Sequence, residues 1–152
     1  MRLAFFQPDI PQNLGAGLRL ARCFSAGVDV IEPCAFPLTD KRLKRAAMDY
    51  GGTDDVTRWP DFDAFAAAPG RIVLLTTSGA APLWSFVFSP SDRVLLGSES
   101  AGVPCAVHDR ADARLVIPIA ADARSLNLVT AGAIALGEAA RQGATGADFT
   151  NR

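Results

Sequence analysis

The chain has 152 residues, 49% of them hydrophobic and 20% charged, the balance of a folded protein rather than a disordered one. That length fits one domain, residues 1–152, able to bury a core of its own. Fifteen basic against sixteen acidic residues leave a net charge of −1, which argues against a dedicated nucleic-acid binder, although a local basic patch could still serve one.

Three cysteines, Cys23, Cys34 and Cys105, form no CxxC pair, so neither a disulfide framework nor a metal site is expected. The apolar run LAFF near the N-terminus is too short for a signal-peptide core, and no stretch approaches a membrane span. The expected location is the cytoplasm, with no membrane partner.

In chain order, LAFF (3–6) predicts a buried strand. Leu14, Leu18, Ala21 and Phe24 then recur at helical spacing over 14–26, with Gly27 as a natural terminator. VDVI (28–31) predicts a second strand. DKRLKRAAMDY (40–50) predicts a short amphipathic helix capped by Asp40. FDAFAAA (62–68) predicts a helix between Pro60 and Pro69, and RIVLLTT (71–77) the clearest strand. FVF (86–88), RVLL (93–96) and ARLVIPI (113–119) predict three more strands. A final helix runs from near Asn127 to Gln142, and the tail 143–152 reads as loose. Helices alternating with continuous apolar strands indicate an α/β fold with a mainly parallel sheet covered on both faces. Ligands of such sheets sit beyond the carboxyl ends of the strands, which points to the loops 7–15, 76–83 and 97–104.

NLGAGLRLAR (13–22) has the glycines of a dinucleotide-binding turn. That turn needs its first glycine directly after a strand, whereas QPDIPQNL separates Phe6 from Gly15. The spacing disfavours NAD, and taken alone Gly15 and Gly17 read as packing glycines at a helix start. LLGSESAGVP (95–104) is a strand entering a loop in which Gly97 and Gly102 let main-chain groups approach a ligand and Glu99 supplies an acceptor. The last helix is crowded with small residues, including Gly132 and Gly137. A helical glycine costs about 1 kcal/mol relative to alanine, so close approach of another backbone, from a partner or a neighbouring segment, is the expected compensation.

Three separated segments carry a resemblance: PDIPQNLGAGLRLA, LLGSESAGVP and IPIAADARSLNL, with IEPCAFPLTDKRLKRAAMDY (31–50) between the first two. Together they resemble the SPOUT-class RNA ribose 2′-O-methyltransferases over nearly the whole chain, to about residue 142. Within that class the sequence looks closest to the TrmL (YibK-like) group, which methylates the wobble cytidine or uridine of tRNA. The resemblance implies a C-terminal deep trefoil knot, a homodimer and S-adenosylmethionine as cofactor, without a metal. It places the cofactor at Leu75, Thr76, Gly97, Glu99, Gly102, Ile117, Ser125 and Leu126. It ties Arg19 to activation of the ribose hydroxyl, with Asn13, Ser125 and Asn127 fixing Arg19 and the ribose. Guanidinium stays protonated in proteins, so Arg19 is expected to orient the hydroxyl and a phosphate rather than to act as a base.

Arg22, Lys41, Arg42, Lys44 and Arg45, with Arg58, are candidates for the phosphate patch, and Tyr50 for stacking on a base. The same charge run also fits a solvated helix face. His108, the single histidine, has no nucleophile motif beside it, which disfavours a hydrolase. The sequence departs from the resembling group at Ser78 (lysine is common), Ser98 (proline), Ala101 (arginine) and Gly137 (tyrosine), positions that bear on RNA more than on the cofactor. A non-catalytic RNA-binding or scaffolding relative therefore stays open, and so does, less favoured, an NAD- or flavin-binding oxidoreductase.

Overall fold

The apolar runs of the sequence become the middle strands of a sheet, where both faces are covered and no alternation is needed. The computed structural model describes residues 1–38, 56–78 and 81–146. Among them, seven strands form one sheet: β1 (Arg2–Phe6), β2 (Gly27–Ile31), β3 (Val56–Trp59), β4 (Ile72–Leu75), β5 (Ala81–Pro82), β6 (Arg93–Leu96) and β7 (Ala113–Val116). Every pairing is parallel, in the order β3-β2-β1-β6-β4-β7-β5. The four described helices are α1 (Pro11–Cys23), α2 (Phe62–Ala67), α3 (Cys105–Arg110) and α4 (Leu128–Arg141). The fold is thus the expected α/β class.

Two apolar layers flank the sheet. On one side, Leu3, Phe5, Val28, Val30, Val94 and Leu96 pack against α1 and α4, through Leu14, Leu18 and Ala21 and through Ala135, Leu136 and Ala139. On the other, Ala4, Phe6, Ile31, Leu74 and Leu95 meet Phe65 and Val107 of the short helices α2 and α3. Alternate residues of each strand thus serve opposite layers.

Helix α1 begins at Pro11, earlier than the apolar spacing suggests, because proline at the first helical position loses no hydrogen bond. It ends at Cys23 rather than near Gly27: Ser25 turns into the left-handed region at φ 51° and Ala26 N–H closes on the Ala21 carbonyl at 2.9 Å. Gly27 instead opens β2. Gly17 faces the ring of Phe5 so closely that a β-carbon there would lie 2.2 Å from it. Within this chain no neighbouring backbone packs against the glycines of α4, which corrects the neighbouring-segment half of that expectation and does not bear on a partner. Gly132 meets the side chains of Leu96, Leu3 and Leu20, and a β-carbon on Gly137 would touch nothing within 4 Å.

The predicted strand at 86–88 does not form. Ala81–Pro82 pairs with β7 instead, a 3-10 turn follows at Leu83–Ser85, and Phe86 packs edge-on against Phe88 at 5.0 Å. Val87 between them is 77% exposed, so the alternation marks an anchored loop rather than a strand. The predicted helix over 40–50 lies outside the described residues.

In the middle of β2, the buried carboxylate of Asp29 accepts from Arg2 Nε at 3.1 Å and Arg93 Nε at 3.4 Å, reaching in from the first residues of β1 and β6, and from Trp59 Nε1 at 2.9 Å. Arg93 is itself only 2% exposed and lies 3.5 Å over the Phe65 ring. Such a buried charge persists because it is paired and hydrogen-bonded.

Candidate active site

A cavity of about 590 Å³ opens at the opposite end of the sheet, beyond the carboxyl ends of β4, β6 and β7. That is the position expected for a ligand of an open parallel sheet, and the size suits a nucleoside-sized molecule. Its wall combines aliphatic side chains (Leu75, Leu96, Val103, Ile117, Leu126) with the hydroxyls of Thr76, Thr77 and Ser78 and the carboxyl of Glu99.

The loop after β6 is folded back on itself. Ser98 N–H donates to the Gly102 carbonyl and Gly102 N–H to the Ser98 carbonyl, both at 2.9 Å. Gly97 lies beneath this bridge: a β-carbon on it would be 2.7 Å from the Gly102 carbonyl carbon. Gly102 takes φ 67°, a conformation that glycine adopts without steric cost. Ser98 also accepts from Ala101 N–H at 3.3 Å and donates to the Gly102 carbonyl at 3.2 Å. The loop therefore closes with serine and alanine at the two positions where the resembling group commonly has proline and arginine.

Two other segments are tied to this loop. Asn13, in the first turn of α1, donates through Nδ2 to Glu99 Oε1 at 2.8 Å. Asn127 donates through Nδ2 to Asn13 Oδ1 at 3.3 Å, and its own Oδ1 accepts from Val129 N–H and Thr130 N–H, capping α4. Asp9 completes the chain of contacts. Its carboxylate accepts from Glu99 N–H and Ser100 N–H, each at 3.1 Å, while Asp9 N–H donates to Glu99 Oε2 at 3.2 Å. The side-chain hydrogen bonds with Glu99 and Ser100 hold the Asp9 carboxyl well below the usual carboxylate range. Burial, and then the hydrogen bond with Asp9, push Glu99 above it.

All eight expected cofactor residues, Leu75, Thr76, Gly97, Glu99, Gly102, Ile117, Ser125 and Leu126, line this one cavity, and so do Asn13 and Asn127. Arg19 and Arg22 do not line it; both side chains are exposed on α1. Lys41, Arg42, Lys44, Arg45 and Tyr50 lie outside the described residues. Arg58 is ion-paired to Glu32 at 2.8 Å. Asp9, Ile10, Val103 and Ile119 are not singled out by the sequence, although they lie inside the motifs, nor are Thr77 and His108 outside them; all but Asp9 line the wall, and Asp9 lies behind it. His108 comes from α3, whose six residues carry no strong periodic signal. Asp9 escapes because its partner is 90 positions away.

Residues 1–137 match the SpoU rRNA Methylase family. The chain belongs to the SpoU methylase family. Among its SpoU relatives, the tRNA (cytidine(34)-2′-O)-methyltransferase of Beijerinckia indica subsp. indica is 49% identical over 144 residues, covering 92% of this chain and 90% of that one. The enzyme of the same name from Escherichia coli K12 is 36% identical over 146 residues, with 93% of each covered. A solved structure described as giving structural insights into the 2-OH methylation of C/U34 on tRNA superposes with a TM-score of 0.85 at 38% identity, covering 93% of this chain and 94% of the other. The SpoU methyltransferase AviRb of Streptomyces viridochromogenes, solved in complex with AdoMet, superposes with a TM-score of 0.78 at 27% identity over 93% of this chain and 60% of that one.

The residues fit such a cofactor. Aliphatic walls offer a slot for a flat adenine, and the folded-back loop brings main-chain polar groups to the cavity where no β-carbon intrudes at Gly97 or Gly102. Among the described residues no group of His, Cys, Asp and Glu is arranged to hold a metal ion, and no helix is long and apolar enough to cross a membrane.

Proposed function

We propose that this chain transfers a methyl group from S-adenosylmethionine to a ribose 2′-hydroxyl of RNA, at the wobble nucleotide of tRNA. The observation that carries the reading is the convergence of three distant sequence segments on one cavity: Asn13 from the first, Gly97, Glu99 and Gly102 from the second, Ser125, Leu126 and Asn127 from the third. The names of the relatives supply the nucleotide.

When bound, S-adenosylmethionine supplies an electrophilic methyl carbon. The chain's task is to hold an incoming hydroxyl oxygen in line with it, and orientation of this kind can supply most of the barrier reduction. Asn13 and Asn127, linked to one another and anchored to Glu99 and to the first turn of α4, form a fixed polar edge for the ribose. Arg19, six residues further along α1 than Asn13, orients the hydroxyl and its neighbouring phosphate from outside the cavity. We further propose that the chain acts as a cytoplasmic homodimer, with residues 1–152 as one domain and a C-terminal knot; the half-buried Gly137 of α4, where an added β-carbon would meet nothing within 4 Å, leaves room for close packing by a second copy.

The test is transfer of labelled methyl from S-adenosylmethionine to tRNA, followed by mapping of the modified nucleotide, with S-adenosylhomocysteine affinity measured by calorimetry. Micromolar binding and label on ribose 34 are expected, and Arg19→Ala should abolish transfer while leaving that binding intact. Folded protein that binds RNA but neither S-adenosylhomocysteine nor transfers label would overturn the reading in favour of a non-catalytic RNA-binding protein.

A further inference from the structure

Asp9 does not line the cavity, yet the loop that forms its floor hangs on it. Residues 99–101 belong to no strand or helix; inside the loop, only the Ser98–Gly102 bridge and the Ser98 hydroxyl shape them. What fixes the loop against the rest of the fold is the Asp9 carboxylate. It takes the consecutive N–H groups of Glu99 and Ser100, one on each oxygen at 3.1 Å, and the Ser100 hydroxyl as well. Asp9 N–H returns a bond to Glu99 Oε2 at 3.2 Å, so the two acidic residues clasp each other main chain to side chain in both directions. Two N–H groups on one carboxylate are charge-assisted bonds, about twice as strong as neutral ones. Glu99 in turn receives Asn13, and Asn13 receives Asn127.

From this geometry we infer that Asp9 is a positioning residue for methyl transfer: it seats the loop 97–102 and, through Glu99, sets Asn13 and Asn127, without touching cofactor or RNA. The inference rests on the methyltransferase reading above. Asp9 stands three residues beyond the end of β1, which is the third strand from one edge of a seven-stranded sheet and buried along Leu3–Phe6. The loop is thereby referred to a rigid part of the fold, as a preorganised site requires.

The experiment compares wild type, Asp9→Asn and Asp9→Ala by calorimetry with S-adenosylhomocysteine between about pH 5 and 9, by methyl transfer to tRNA, and by thermal melting. Asp9→Ala leaves both N–H groups without an acceptor and should weaken S-adenosylhomocysteine on the order of a hundredfold. Asp9→Asn keeps one acceptor and turns an NH₂ toward the other N–H, so its loss should be smaller, about tenfold. Melting should change little, because the loop lies at the open end of the sheet.

The pH profile separates positioning from a merely structural role. Asp9 is the acidic group facing Glu99, and His108 is the other titratable side chain in the cavity wall. Replacing the Asp9 carboxylate by an amide removes the second of the two causes, burial being the first, that raise Glu99 above the usual carboxylate range. The feature in the binding profile that reports Glu99 should therefore move to lower pH in Asp9→Asn. Wild-type affinity and turnover in both variants would overturn the inference and leave the proposed function standing. So would a uniform loss at every pH that tracks a fall in melting temperature. Failure of the wild type itself to bind S-adenosylhomocysteine would overturn the proposed function, and this inference with it.

Discussion

Gly97 has no space for a methyl group. Its nearest obstacles are main-chain atoms of Gly102, the carbonyl carbon at 2.7 Å and Cα at 2.8 Å from an added β-carbon, and backbone held in a two-way bridge cannot swing aside as a side chain would. Gly97→Ala should therefore cost about 1–3 kcal/mol of stability, the range of overpacked sites, and weaken S-adenosylhomocysteine at least about tenfold. Thermal melting and calorimetry on the same sample check both, and a Gly97→Ala variant that binds like wild type would mean the loop can open without harm. At this scale the sequence speaks where a residue's reason is local. A glycine pair and a carboxylate after a strand announce a ligand loop, whereas Asp9 looks like any loop aspartate until the fold brings Glu99 to it. Gly17 and Gly137 show the same limit. Both are helical glycines with similar surroundings in the sequence, but one is wedged on the Phe5 ring and the other meets nothing in its own chain.

Helix α4 takes its first turn from one side chain with two duties. Asn127 Oδ1 accepts from Val129 N–H at 2.9 Å and Thr130 N–H at 3.3 Å, and its Nδ2 reaches Asn13. Substitution can part the two. Asn127→Asp keeps the cap and adds a favourable charge at a helix N-terminus, but it presents an oxygen to Asn13 Oδ1 in place of a donor. It should melt within about 0.5 kcal/mol of wild type while losing methyl transfer by a factor of about ten or more. Asn127→Ala should lose transfer similarly and about 1 kcal/mol of stability as well. Equal turnover in Asn127→Asp would confine the residue to capping. The start and length of α4 are legible from SLNL and the long periodic run that follows. Helix α3 and strand β3 are not. The first is six residues with a single buried side chain, Val107, and the second is a four-residue edge strand, VTRW, with no fully buried position. Short elements of this kind exist because neighbours hold them: β3 by its register with β2 and by the Trp59–Asp29 bond. FVF errs in the opposite direction. Its alternation is real, but Phe86 and Phe88 are pinned by Gln142, which donates to the Phe86 carbonyl and accepts from Phe88 N–H, so no strand partner is needed.

Over the whole molecule the two ends of the sheet are chemically opposed. At the amino ends Arg2 and Arg93 are ion-paired to Asp29, and Arg71 to Asp92 at 2.7 Å, so these three cations are spent internally. The carboxyl ends carry the cavity, whose wall holds uncharged polar groups and Glu99 but no lysine or arginine among the described residues. A net charge of −1 adds no long-range attraction for a polyanion. On the proposed function, affinity for tRNA then comes from a few local cations rather than from the molecule's field, and the basic run Lys41–Arg45 with Arg19 and Arg22 is the densest supply in the sequence. Each phosphate contact on single-stranded RNA contributes about 0.7 to the slope of log affinity against log salt concentration. Replacing Lys41, Lys44 and Arg45 together by alanine should thus flatten that slope by up to about 2, weaken tRNA binding several-fold at physiological salt, and leave S-adenosylhomocysteine binding unchanged. Filter binding across a salt series checks it. An unchanged slope would return the run to the role of a solvated face, and would shift the search for the phosphate contacts to Arg19 and Arg22 on α1.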